Sequence, residues 1–137
     1  MNRDDLRNLS RLRLKEAKIL VRTKNFSGAY YLAGYAIECA LKACIAKKVQ
    51  RYQFPDKRLG QESYTHDLTA LINLAGLRVH LDEESKSNNR FAAYWAITKN
   101  WTEQSRYTFK DKQSTEDLLK AITARSSGVL KWIRQYW

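Results

Sequence analysis

Tyr30-Tyr31-Leu32-Ala33-Gly34-Tyr35-Ala36-Ile37-Glu38-Cys39-Ala40-Leu41-Lys42-Ala43 is the stretch that decides how this chain folds. Through it and its flanks, Phe26, Tyr30, Ala33, Ile37, Ala40 and Cys44 recur in steps of four, three, four, three and four, the seam of a helix in a bundle. Tyr31, Leu32, Tyr35, Ala36, Cys39 and Ala43 cover much of the remaining circumference. A helix that is apolar nearly all round must be buried nearly all round. The spacing therefore predicts a central helix over 26–48, whose alanines, with Gly28 and Gly34, let neighbouring helices approach closely.

Outward from this helix, Leu6, Leu9, Leu12, Ala17 and Leu20 recur at helical spacing and predict a first helix from Arg3 into the Val21 region. Asp4 and Asp5 favour its positive end, Thr23-Lys24-Asn25 breaks it, and Asn25 or Ser27 can cap the central helix. The polar stretch 50–65, with Pro55 and Gly60, reads as a loop. A short helix carries Leu68, Leu71, Ile72 and Ala75 on one face, with Gly76 as its C-terminal cap. Residues 85–89 read as a loop, 91–101 as a helix bearing Phe91, Tyr94, Trp95, Thr98 and Trp101, and 110–113 as a charged turn. A last helix from Ser114 presents Leu118, Ile122, Val129, Ile133 and Tyr136 inward. The expectation is one all-α domain over 1–137, an up-and-down four-helix bundle with one additional short helix.

One proline and five glycines in 137 residues are too few breakers for a sandwich or barrel. No apolar run approaches the ~20 residues of a membrane span, and the polar N-terminus does not read as a signal peptide, so a cytoplasmic protein is expected. Cys39 and Cys44 sit five apart on one helix, which disfavours a disulfide, and two sulfurs alone make no zinc site; both read as buried thiols. The net charge of +11 suggests a polyanionic partner, whether nucleic acid, nucleotide or acidic protein, against the alternative of solubility alone.

The quoted helix resembles the signature helix of HEPN domains. Glu16-Ala17-Lys18 and Asn25-Phe26-Ser27-Gly28-Ala29 resemble that family's opening, Thr65-His66-Asp67-Leu68 with Leu71 its short third helix, and Trp101 through Arg106-Tyr107 its penultimate element. The resemblance implies a helical bundle that forms a homodimer, associates with nucleotide or RNA, and works beside a separate nucleotidyltransferase in a toxin–antitoxin or defence module. Ribonuclease members of the family carry an arginine followed roughly four to six residues later by a histidine, and the two motifs of a dimer act together at the ribose 2′-hydroxyl. This chain departs from that pattern. Arg58 precedes His66 by eight positions, Arg78 precedes His80 by two, and Arg106 is followed by Tyr107-Thr108-Phe109-Lys110-Asp111-Lys112 with no histidine. The departure shifts the expected role from cutting RNA toward binding and partnership. A metal-independent ribonuclease with a non-standard site at His66 and Arg106, and a non-catalytic structural adaptor, stand as alternatives.

Glu38 and Lys42 share one face of an otherwise apolar helix, which points to a polar pocket or dimer seam with Lys42 facing an anion; the plainer reading is a surface ion pair. His66 and Asp67 open a helix. Asp67 suits the helix dipole there, and His66 either packs near the loop or is the one well-placed imidazole for proton transfer. Trp101, Arg106 and Tyr107 can stack a base and clamp a phosphate, or Trp101 can be core and Arg106 a salt bridge. The expected nucleotide- or anion-binding set is therefore Glu38, Lys42, Trp101, Arg106 and Tyr107, with His66 and Arg106 the catalytic candidates. No metal-ligand spacing or phosphate loop is visible, and no cofactor is expected.

Overall fold

The computed structural model describes residues 1–52 and 57–137. Among them the chain forms eight α-helices and one 3-10 segment, with no strand. These are α1 (Arg3–Arg22), α2 (Phe26–Tyr52), α3 (Lys57–Glu62), α4 (Leu68–Leu74), α5 (Arg78–Ser87), α6 (Asn89–Lys99), the 3-10 segment Glu103–Tyr107, α7 (Lys112–Thr123) and α8 (Val129–Arg134).

α2 is the axis. From Ala29 to Ile45 only Tyr31, Leu32, Tyr35 and Lys42 retain partial exposure, and every other residue is buried. α1, α4, α7, α8 and the 3-10 segment all pack on it. α1 lies closest, turning Ser10, Leu14 and Ala17 inward. The Ser10 hydroxyl donates to the Ala36 carbonyl at 2.7 Å, satisfying the one polar side chain that α1 buries completely. Leu12, expected on the inward stripe, is 47% exposed, because Ser10 occupies the angular position nearest α2 and rotates Leu12 outward. The first turn carries a full capping box, in which Asn2 accepts from the Asp5 amide and Asp5 accepts from the Asn2 amide.

Several boundaries differ from the sequence-based expectation. α2 runs on to Tyr52 and α3 occupies Lys57–Glu62, so part of the expected 50–65 loop is helical. These segments are rich in Lys, Arg, Gln, Glu and Leu, whose helix propensity outweighs their polarity. Pro55 lies outside the described residues. α5 was not expected; it is held by Leu77 and Leu81, one turn apart and both buried, and apart from the exposed Val79 the rest of it is polar or charged. The expected 85–89 loop shrinks to Asn88, whose side chain caps α6 by accepting from the Phe91 amide. α6 stops at Lys99, leaving Trp101 beyond its end. α7 begins at Lys112, inside the expected 110–113 turn, capped by Asp111.

The expected last helix is two helices. Ser127 has a φ of 69°, and a Cβ on Gly128 would lie 2.3 Å from the Ala124 carbonyl oxygen, so the chain bends sharply where only glycine fits. Asn88 donates to the Ser127 hydroxyl at 3.0 Å and ties this bend to the α5–α6 junction. The inward stripe survives the break, since Leu118, Ile122, Val129 and Ile133 are all fully buried. Tyr136 lies past the end of α8, half-buried, with its ring stacked on His80 at 5.1 Å.

Candidate functional site

Glu38 is a carboxylate in the middle of the central helix, with 1% exposure. A charge buried this deeply is costly unless it is paired. One oxygen, Oε1, receives two partners. Lys42, one turn along α2, places Nζ at 3.2 Å, and His66, on the turn before α4, makes a close contact through Nδ1. Asp67 brings His66 there, because its side chain caps α4 by accepting from the Thr69 and Ala70 amides at 2.9 and 3.2 Å. The other carboxylate oxygen, Oε2, is buried and has no hydrogen-bond partner among the described residues.

Glu38 and Lys42 open onto a cavity of about 630 Å³ between α1 and α2. Among the described residues its walls are chiefly apolar, including Leu6, Leu9, Ile45 and the Tyr35 ring, with Tyr64 at one side. Arg3 lines the same space. Its guanidinium contacts the Trp137 carbonyl through Nη2, while its buried Nε has no hydrogen-bond partner among the described residues. The cavity lining thus brings together a buried carboxylate, Glu38, and two cations, Arg3 and Lys42, against a chiefly apolar wall. Glu38 Oε2 and Arg3 Nε are themselves closed off from solvent, as are the unpartnered Arg7 Nε, Trp101 Nε1 and Ser105 Oγ elsewhere among the described residues.

Burial raises the titration of neighbouring groups. The Cys39 thiol, beside the carboxylate, is pushed up to about 12, by burial first and the Glu38 charge second. The Tyr35 phenol is raised, by burial first, with Cys39, Glu38 and Tyr31 adding. Neither group is a reactive nucleophile near neutral pH.

The sequence-derived site residues fall into two groups. Glu38, Lys42 and His66 come together, joined across 28 residues by one carboxylate oxygen. Trp101, Arg106 and Tyr107 sit toward the N-terminal end of α2. Trp101 is 1% exposed, wedged against Gly34 and stacked on Tyr31 with centroids 6.1 Å apart. It anchors the 3-10 segment rather than offering a free face. Arg106 lies exposed over the Tyr107 ring at 5.2 Å, and Tyr107 is itself 73% exposed. Among the described residues no hydrogen bond, ion pair or ring contact joins Arg106 to His66. Sequence reasoning missed Arg3. Its only signal was an arginine in the first turn of a helix, where the macrodipole disfavours a cation.

Among the described residues no group of three metal-ligating side chains is assembled, and no helix is long and apolar enough to cross a membrane. No curated protein and no solved structure matches the chain. A family model for the HEPN domain matches it over residues 4–136.

Proposed function

Because this chain belongs to the HEPN domain family, whose role is association with nucleotides or RNA, we propose that it binds a nucleotide in the α1–α2 cavity and acts as a non-catalytic partner of a separate nucleotidyltransferase. The observation that carries this reading is the meeting of the Glu38 carboxylate with two cations, Lys42 and Arg3, on the wall of one chiefly apolar cavity. A nucleotide supplies the counterpart of each. Its ribose hydroxyl or exocyclic amine donates to the carboxylate, its phosphate accepts from Arg3 and Lys42, and its base lies against the apolar wall. The wider setting follows the family. The protein works in the cytoplasm as a homodimer within a toxin–antitoxin or defence module, and its +11 charge suits an acidic partner surface. Arg106 and Tyr107 provide a second, exposed base-and-phosphate contact.

Calorimetric titration with ATP, GTP, CTP and UTP tests the cavity. At least one should bind, and Glu38→Gln and Lys42→Ala should each weaken it about tenfold or more, the loss of one charge-assisted hydrogen bond, with far-UV circular dichroism unchanged. Unaltered affinity in both variants would remove the cavity from the reading.

The Glu38–His66 contact favours one second reading. A carboxylate on Nδ1 orients an imidazole and leaves Nε2 free to take a proton, the arrangement of a general base. Cleavage of RNA in the presence of a chelator, abolished by His66→Ala, would support a metal-independent ribonuclease. RNA left intact at high protein concentration would rule it out.

A further inference from the structure

Six of the chain's 25 lysines and arginines gather on a strip that the cavity does not use. Arg7, Arg11, Leu14 and Lys18 follow one another on α1 in steps of four, three and four, so the three cations share one side of the helix. That side meets the C-terminal segment. The guanidinium groups of Arg7, Arg11 and Arg134 lie 5.2, 4.9 and 5.3 Å from the centroid of the single Trp137 ring. Beyond Arg134 a cleft of about 460 Å³ opens between α1 and the α7–α8 bend. Leu14, Ile122 and Leu130 line it together with Lys18, Arg125, Lys131 and Arg134. No carboxylate is among its described lining residues.

Cations crowded in this way repel one another. Arg134 is held below the ordinary arginine range, by burial first and by neighbouring Arg11 second. One indole offers each guanidinium roughly 0.5–1 kcal/mol of cation–π attraction, too little to neutralise three. Among the described residues the strip's one salt bridge joins Arg7 to Asp4 at 3.7 Å, and the Asp4 side chain is 80% exposed. A pair so exposed is screened by water and salt and contributes little. Among the described residues, Arg11, Lys18, Arg125, Lys131 and Arg134 make no salt bridge, so most of the strip's charge is left without a carboxylate partner. From Arg7 to Lys18 it extends about 16 Å, which matches about five phosphate steps of a helical strand. Its members are mostly arginines, whose planar forks fit phosphate oxygens in pairs.

We infer that this strip, from Arg7 across Arg134 to the Lys18–Arg125–Lys131 cleft, binds the phosphate backbone of a nucleic acid. The inference is independent of the nucleotide cavity, since none of these six residues lines that cavity among the described residues. Recognition is by charge and spacing, so affinity depends on salt more than on base sequence.

The test uses fluorescence anisotropy of labelled oligouridine and oligothymidine with the intact protein. The strip's six cations give a slope of log affinity against log salt of about −4, so binding should weaken about 250-fold between about 50 and about 200 mM salt. Lys18→Glu/Arg125→Glu/Lys131→Glu should lower affinity more than about tenfold and flatten the slope by about 2. Lys86→Glu/Arg90→Glu/Lys99→Glu, of equal net charge but on α5 and α6, should change affinity by less than about threefold. If the first variant fails to fold, Arg125→Gln/Lys131→Gln serves, since both side chains are exposed and their loss leaves the cleft floor intact. Equal losses in strip and control variants would overturn the inference in favour of net charge alone. Binding of polyglutamate but of neither oligonucleotide would overturn it in favour of an acidic protein. A preference for oligouridine over oligothymidine, with the strip variant defective, supports it with RNA as the source of the phosphates.

Discussion

Gly34→Ala should cost stability, although alanine is the better helix former. A Cβ at position 34 would lie 2.2 Å from Cγ, Cδ1 and Nε1 of Trp101, where ordinary contact begins near 3.4 Å. The indole cannot swing aside cheaply. It is 1% exposed and stacked on Tyr31, and turning it into water forfeits roughly 2–3 kcal/mol of burial. Overpacking of this kind costs about 1–3 kcal/mol or more, against a gain of about 1 kcal/mol from replacing glycine inside a helix. The expected net loss is about 2 kcal/mol, a fall of about 1 M in the urea midpoint for a slope of about 2 kcal/mol/M. Urea unfolding followed by circular dichroism measures it, and a double-mutant cycle isolates its cause. Trp101→Ala alone should cost about 3–5 kcal/mol. In that background the sign reverses, and Gly34→Ala becomes stabilising by up to about 1 kcal/mol. A Gly34→Ala protein at least as stable as the parent, or a penalty that persists without Trp101, would refute the wedge that seats the Arg106–Tyr107 segment on α2.

Other consequences are equally direct. Asp67→Ala removes the acceptor for two amides of α4 and should cost about 1 kcal/mol by urea titration; it should also loosen His66, visible as line broadening of the imidazole's NMR signals. Glu38→Met, which replaces a buried and half-matched carboxylate by an apolar side chain of similar volume, should leave stability unchanged or raise it by about 1–2 kcal/mol while abolishing nucleotide binding; a loss of more than about 3 kcal/mol would make Glu38 a structural residue. Cys39 and Cys44, both with titration pushed up to about 12, should resist alkylation at neutral pH until the protein unfolds. In the unfolded chain the same thiols titrate near 9.0, so above that pH the unfolded state binds fewer protons than the folded one. Their contribution to stability is therefore full below about pH 9 and lost as pH rises toward about 12, and Cys39→Ala/Cys44→Ala should flatten that decline in a thermal-melt series.

What the sequence disclosed depended on whether the signal was periodic. The α2 seam repeats over five steps, and the helix it implies is present and central. Gly76 was legible as the end of α4 and stands at φ 73°, while Asp67, read as a partner of the helix dipole, also caps α4 through its side chain. α5 was not legible, because only Leu77 and Leu81 mark its inner side. The α7–α8 break was hidden because the apolar register resumes after it; the collision of any Cβ at Gly128 with the Ala124 carbonyl exists only in three dimensions. The same holds for the site. Glu38 and Lys42 share a helix face and could be paired on paper, whereas His66 and Arg3 reach the region through tertiary packing. The departure from the family's arginine–histidine spacing was readable at once, and the structure leaves Arg106 and His66 without a direct contact.

The central claim is that a nucleotide occupies the α1–α2 cavity, and amide chemical shifts of isotope-labelled protein during ATP titration test it most directly. Saturable shifts are expected at Arg3, Glu38, Cys39, Lys42 and Tyr64, which line the cavity, and they should vanish in Glu38→Gln. Shifts confined to Arg106 and Tyr107, or to the Arg125–Lys131 cleft, with the cavity residues unmoved, would contradict it.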